Sequence, residues 1–550
     1  MFDGGIRRRN LTLALGVFAS LLASSGEGMP QSPAPRLVLV VAVDQMRYDY
    51  LVRFKDLFQG GLKHLVENGA VFTEARFRHA CTETGPGHAV ILSGRSPRYT
   101  GIVGNEWLDP FQQTIVNVVA DPVQETLGGD APPASPANLL SATLGDVLKK
   151  ASPASRVIGV SLKDRSAILM AGRRGDGAYW YSAKDGHFVT SSYYFREAPS
   201  WLLNWNLRRT ADGWAGQPWK RLLPDASLYE KYAGPDAVEG EDDGEDRVFP
   251  HEIRSSPPSA SFYSSLRVTP YADEMTLDAA LAAMDAHELG RRDVTDLLAI
   301  GFSATDVIGH AFGPDSQEVM DQLLRLDKLL AVLMTEVDRR VGSGRSLVVL
   351  TADHGVMPLV EVLRRRGFEA RRLPAEALRR PVEEALAKRF PDAPGLLAQA
   401  LPPHFYLNAA AIERYHLSRE DVGETVAGAL RGLPPVEAAY TKRQLLSAPP
   451  PGDAQFELFE NGFFEPRSPD IVVSLRPYVL LDEHVGGTGH GTAHDYDRHV
   501  PIIFLGPGIQ AGTFNEPCGP EDIAPTLGRL LRLPYPPEPG ARVLEELMAH

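Results

Sequence analysis

Three aspartates and three histidines, spread over four short strings, carry donor atoms suited to divalent-metal chemistry. Asp44 closes V-A-V-D, Asp306 and His310 lie in T-D-V-I-G-H, Asp353 and His354 in T-A-D-H-G, and His490 in G-T-G-H-G. Six such donors can hold two zinc ions with three protein ligands apiece, leaving a position on each ion for a substrate oxygen or a nucleophile. A single Asp-His pair would mean little, since such contacts occur in ordinary cores. Four strings beside a T-G-P-G-H element at Thr84–His88 are not explained that way. Asp306 and His310 are spaced i, i+4, so a helix would put both on one face. Asp353 and His354 are adjacent, which suits a loop, because a strand would turn them to opposite faces. His490 sits among glycines, where the backbone can approach a ligand closely.

The same strings offer a nucleophile and cations. Thr84 precedes Gly85-Pro86-Gly87-His88 and the apolar stretch Ala89–Leu92. Proline near a helix start and a hydroxyl at its cap have a structural use, with capping worth about 1 kcal/mol. A helix N-terminus also presents free amides to an anion. A zinc-bound hydroxyl there would give up its proton far more readily than free threonine and could attack phosphorus. Thr82, two residues away, competes for this role on spacing alone. Lys163 and Arg165 form K-x-R after an apolar run. If the chain stays extended, both share one face and would bind the charged oxygens of a phosphate monoester beside two metals. Asn105, in G-N-E-W, is a further donor for a phosphoryl oxygen, in a context that also suits a turn.

Positioning these groups requires a scaffold, and the apolar runs define one. Arg36–Val43, Arg156–Ser161, Asp296–Ser303, Ser346–Thr351, Asp470–Ser474 and Val500–Leu505 read as buried strands. Helical patterns at Gly61–Asn68, Leu139–Lys149, Met275–Ala286, Ser316–Arg339 and Asp522–Leu531 alternate with them. This order predicts an α/β fold, a doubly wound, mostly parallel central sheet flanked by helices. In such sheets ligands gather at the carboxyl ends of strands, where Asp44, Asp306 and Asp353 fall. Residues 175–270 and 360–468 break the alternation and are expected to be insertions that cap or frame the site within a catalytic domain spanning 36–550. The first holds the acidic run G-E-D-D-G-E-D, expected as a solvated loop, and the second holds Pro449-Pro450-Pro451.

Composition narrows the function. The chain has 550 residues and a formal charge of -14, which argues against binding nucleic acid, where basic patches are needed. Residues 1–25 have the form of an export signal: Arg7, Arg8 and Arg9, then the apolar run Leu11–Ala23, then Ala23-Ser24-Ser25. A periplasmic or secreted protein is expected, with no stable membrane insertion, because the apolar run is short for a spanning helix. Arg8-Arg9-Asn10-Leu11 loosely matches a twin-arginine signal, so the export route stays open. Two cysteines, Cys81 and Cys518, rule out a Cys-rich zinc site and give no geometric evidence for a disulfide.

Taken together, V-D-x-x-R-x-D, C-T-x-T-G-P-G-H, G-x-x-G-N-x-W, S-x-K-D-R, T-D-x-x-G-H, T-A-D-H-G and G-T-x-H-G resemble the alkaline phosphatase superfamily. The resemblance is strongest to its bacterial PafA-type monoesterases with a threonine nucleophile, and runs from about Arg36 to Leu533. It implies one zinc on Asp306, His310 and His490, and a second on Asp44, Asp353 and His354 that also contacts Thr84. It selects Thr84 over Thr82 as nucleophile, and gives Asn105, Lys163 and Arg165 the phosphoryl group. Small phosphate esters are the implied substrates. His88 and His494 match no ligand position of the family and are set aside, and no ligand set for magnesium is evident. Phosphodiesterases and nucleotide pyrophosphatases of the superfamily share the metal ligands and the threonine but lack the Lys-Arg pair. Sulfatases need C-x-P-x-R, whereas Cys81 stands in C-T-E-T. A non-catalytic metal- or phosphate-binding protein would have no use for Thr84 in its full motif.

Overall fold

An unbroken apolar run has no polar face to offer water, so it folds where both faces are covered. In the computed structural model, Leu37–Val43 is such a strand, buried at every position. The structure describes residues 34–549 apart from 110–112, 242–245, 399–400, 448–451, 454, 483 and 485. The expected export segment, the middle of the acidic run and Pro449-Pro450-Pro451 therefore lie outside the described residues. The large sheet is built from β1 (Leu37–Val43), β2 (Ala70–Phe72), β3 (Thr126–Leu127), β4 (Val157–Ser161), β5 (Gly177–Tyr181), β6 (Phe188–Ser191), β7 (Asp296–Phe302), β8 (Ser346–Thr351), β9 (Ile502–Leu505) and β10 (Gly512–Phe514). Their order across the sheet is β10-β2-β9-β8-β1-β7-β4-β5-β6-β3.

The sheet is parallel from β8 to β5 and mixed on either side. β1 runs parallel to β8 and β7, and β4 parallel to β7 and β5. β9 is antiparallel to β8 and β2, and β6 antiparallel to β5 and β3. The register puts Val43 beside Phe302 and Ala42 beside Thr351. The chain therefore leaves β1, β7 and β8 at one edge, and Asp44, Asp306 and Asp353 follow there.

Alternation along β1 shows why the sheet is covered twice. Leu37, Leu39 and Val41 join Leu62, Leu333 and Val337 on one face, the side of the helix Gln317–Val341. Val38, Val40 and Ala42 join Ile523, Ala524 and Leu527 on the other. Each fully buried aliphatic side chain here contributes on the order of 1.5–3 kcal/mol relative to exposure. Among the described residues no helix is long and apolar enough to cross a membrane.

Two expectations need adjustment. The run expected as a strand at 470–474 forms Ile471–Leu475, but it pairs antiparallel with Val436–Thr441 in a separate two-stranded sheet. An apolar run signals burial, and here the cover is a smaller core around Val422, Val426, Leu430 and Val473. Conversely, β5 and β6 lie inside the stretch 175–270 yet extend the central sheet.

Candidate active site

Three short helices start at the ligand edge of the sheet: α1 (Thr84–Ser93), α2 (Asp164–Ala171) and α3 (Ala304–Phe312). The i, i+4 spacing on α3 brings His310 Nε2 to 3.4 Å from Asp306 Oδ1. His490 Nε2 and His354 Nε2 approach the same oxygen at 3.8 and 3.9 Å. Each ring is oriented by its other nitrogen, which donates to a backbone carbonyl: His310 Nδ1 to Thr488 at 2.7 Å, His490 Nδ1 to Thr82 at 2.7 Å, and His354 Nδ1 to Gly355 at 2.9 Å. A carbonyl can only accept, so Nδ1 carries the hydrogen, and it is Nε2 of each ring that points inward, free to ligate when unprotonated. The His354 and His490 rings stack with centroids 3.6 Å apart. Burial, then the neighbouring His354 and His310, hold the His490 imidazole well below its ordinary pKa. Burial alone would raise the Asp306 carboxyl, but Lys163 and His310 outweigh it and keep it well below the usual range.

A second cluster lies deeper. Asp44, His88 and Asp353 are all fully buried and bring donor atoms within 4.8 Å of one another. His88 Nε2 is 3.3 Å from Asp44 Oδ1 and His88 Nδ1 is 3.3 Å from Asp353 Oδ2. His354 Nε2 stands 3.2 Å from Asp353 Oδ2. The loop after β8 thus lets Asp353 and His354 reach the same space, as their adjacency implied. Both oxygens of Asp44, Asp353 Oδ2 and His88 Nε2 are buried without an aligned hydrogen-bond partner among the described residues. They meet only one another, His354 and Lys163 at ion-pair distance, and buried groups without aligned hydrogen bonds are costly in a dry interior. Carboxylates and inward ring nitrogens are the donor set that divalent zinc satisfies, so the residues present fit metal ions.

Thr84 lies between the two clusters. It is the first residue of α1, and Glu83 takes the cap position, so the hydroxyl serves no cap. Its Oγ1 lies 3.4 Å from Lys163 Nζ, 3.5 Å from Arg165 Nη2 and 3.5 Å from His354 Nε2. Thr82 is engaged elsewhere, its hydroxyl donating to the Thr492 carbonyl at 2.8 Å. Lys163 also contacts Asp306 Oδ2 at 2.5 Å and Asp44 Oδ2 at 3.0 Å. Burial disfavours its charge, but Asp306 and Asp44 overcome this and raise its pKa. The extended K-x-R arrangement is not what forms: Lys163 caps α2 and Arg165 lies within it. The two cations converge because the helix turns both toward α1. Asn105 Oδ1 accepts from the Gly85 amide at 2.7 Å, and among the described residues its NH2 group has no hydrogen-bond partner. The α1 helix also abuts the Asp353 loop directly: a Cβ on Gly87 would lie 2.1 Å from the Asp353 carbonyl oxygen, so only glycine allows this approach.

A family model described as "Type I phosphodiesterase / nucleotide pyrophosphatase" matches residues 38–497. The chain belongs to this family, within the alkaline phosphatase superfamily. It is 33% identical over 517 residues to alkaline phosphatase PafA of Elizabethkingia meningoseptica, covering 92% of this chain and 93% of that one. Alkaline phosphatase PhoV of Synechococcus elongatus is 32% identical, with 94% of each chain covered. The crystal structure of wild-type alkaline phosphatase PafA superposes with a TM-score of 0.88 at 32% identity, over 94% of this chain and 100% of that one. The chain is a phosphatase of the superfamily.

Within this phosphatase, three residues at the site were not singled out by sequence. His88, set aside by the resemblance, lies between the two buried carboxylates. Its signal was a lone imidazole, four residues after Thr84, on a helix with no polar face. Gln45 joins the clusters, its backbone N–H donating to Asp353 Oδ1 at 3.0 Å and its side-chain amide to Asp306 Oδ1 at 3.1 Å. It does so in a left-handed conformation, φ 65°, that residues other than glycine rarely adopt. Glu83 Oε2 accepts from the Asn105 amide at 2.7 Å and fixes that turn.

Proposed function

We propose that this chain hydrolyses phosphate monoesters through a phosphothreonine on Thr84, with two zinc ions as cofactors and small phosphate esters as substrates. The observation that supports the reading is the convergence of Lys163, Arg165 and His354 on Thr84 Oγ1 at 3.4–3.5 Å. Asp306, His310 and His490 would hold one ion, and Asp44, Asp353 and His354 the other. Bound there, the ions supply Lewis acidity that eases loss of the Thr84 proton and offsets charge on the leaving oxygen. The Thr84 oxygen attacks phosphorus while the bond to the alcohol oxygen breaks. Water then attacks the phosphothreonine, releasing phosphate and returning the hydroxyl. Arg165 and Lys163 hold the phosphoryl oxygens throughout, the planar guanidinium suiting two oxygens together. Asn105 donates its free amide to a third.

The second reading, a phosphodiesterase, draws on the description of the matching family model. A diester has one of the oxygens that the two cations would hold blocked by an alkyl group, so the Lys-Arg pair favours the monoester. Comparing hydrolysis of phenyl phosphate with its methyl diester in zinc-loaded protein decides between them. A higher kcat/KM on the diester would overturn the monoesterase reading. Residues 1–25 act, in this proposal, as an export signal. Amino-terminal sequencing of protein recovered from the periplasm or medium would find a start near residue 26, and an intact Met1 start would refute it.

A further inference from the structure

One cation near the site has no role in the reading above. Arg267 lies on a single 3-10 turn, Leu266–Val268, that packs against α3, the helix of Asp306 and His310. Among the described residues its side chain makes no ion pair and no hydrogen bond, although it is only partly exposed. Burial, and then the Arg165 guanidinium, work against its charge, with Asp306, Tyr181 and Asp164 too weak to compensate. An anion arriving between these two guanidinium groups would favour the charge that burial opposes.

Arg267 lines a cavity of about 230 Å³ whose wall also includes Lys163, Arg165, Trp180, Tyr181 and Lys184. The cavity therefore adjoins the Thr84 centre through the two cations assigned to the phosphoryl group. Its other charges have partners. Lys184 pairs with Asp130 at 2.9 Å, Arg165 lies 3.7 Å from Asp164, and Lys163 contacts Asp306 and Asp44. Asp130 and Asp164 also line the space, but among its described cations only Arg267 makes no ion pair. For scale, an apolar cavity of about 150 Å³ accommodates benzene, so this one has room for more than the transferring phosphoryl oxygens.

We propose that Arg267 binds a second phosphate group carried by the alcohol part of the substrate, so that the preferred esters are organic bisphosphates. This rests on the phosphatase reading above. The proposal names the substrate class that reading leaves open, and assigns its recognition to the capping stretch rather than to the central sheet. A guanidinium pre-positioned for phosphate gives charge-assisted hydrogen bonds, whose loss costs about 10- to 100-fold in affinity.

The test compares propyl phosphate with 1,3-propanediol bisphosphate in wild type, Arg267→Ala and Arg267→Lys, all loaded with zinc. Wild type should favour the bisphosphate in kcat/KM. Arg267→Ala should reduce that preference about 10- to 100-fold while propyl phosphate hydrolysis stays close to wild type, and Arg267→Lys should restore part of it. Equal losses on both esters would place Arg267 at the transferring phosphoryl group or in folding and overturn the inference. So would an unchanged preference. A parallel calorimetric titration with propylphosphonate and propane-1,3-diphosphonate separates this from the phosphatase reading. If neither ester is hydrolysed but diphosphonate binding still depends on Arg267, the catalytic reading fails and the second-anion site stands. If both esters are hydrolysed and the diphosphonate gains nothing from Arg267, the inference fails alone.

Discussion

The two carboxylate-imidazole clusters are built from the same residue types but differ in access. Around Asp306, the His310 side chain is 39% exposed, and three imidazoles are turned by backbone carbonyls toward one oxygen. Around Asp44 and Asp353 everything is sealed, and His88 is held between two carboxylates. There burial disfavours a charged His88, yet Asp44 and Asp353 overcome it and push its pKa to about 10. In the proposed reaction the open cluster, which solvent reaches at His310, would meet the leaving alcohol. In the proposed reaction the sealed cluster would steady the Thr84 oxygen, which lies 3.5 Å from His354 Nε2. On that reading exposure, more than donor identity, would divide the labour.

The largest expected effect comes from removing the group between the two clusters. Thr84→Ala should lower kcat by about a thousandfold or more. The thermal midpoint should change little, because Oγ1 caps nothing. Steady-state kinetics and a melting curve on the same preparation check both, and phosphate trapped on another residue would break the assignment. Next, Lys163→Ala with Arg165→Ala should cut monoester kcat/KM by about three orders of magnitude and the methyl diester much less. Equal losses would remove the distinction between substrates.

A smaller, sharper effect tests the clusters separately. His490→Ala should lower the zinc that survives dialysis from two ions to one, since the open cluster loses one of three donors while the sealed one is untouched. Loss of both ions on elemental analysis would mean the clusters do not act independently. His88→Gln should keep two ions and lower their affinity by about tenfold, as expected of a group that braces ligands. Loss of a whole ion would instead make His88 a ligand. Smallest of all, Thr82→Val removes one hydrogen bond, worth about 1 kcal/mol of stability, and should leave turnover near that of the parent.

Much of this arrangement was legible in sequence where one local rule decides the outcome. β1, β7 and β8 form within a residue of their apolar runs because an unbroken run has no alternative to a doubly covered strand. The Asp306–His310 pair meets because helical spacing alone brings it together. Ile471–Leu475 is a strand as expected, but its partner is chosen by long-range packing that no local pattern encodes. β5 escaped notice because G-A-Y-W-Y reads as aromatic loop, and only its burial between neighbours makes it a strand. Lys163 and Arg165 meet Thr84 by a route other than the extended one, since Asp164 opens a helix between them. His88 was passed over because a buried histidine is ordinary until the two carboxylates beside it are seen.

The contact at Gly87 carries a consequence for how such a protein can diversify. With no side chain between α1 and the Asp353 loop, the spacing between Thr84 and the sealed cluster is set by main chain against main chain. No rotamer can absorb a change there, so the centre has one working dimension. The cavity wall beyond that contact is instead made of side chains, Arg267 among them. Variation between relatives in what they accept should therefore concentrate in that wall, around a centre that stays dimensionally fixed.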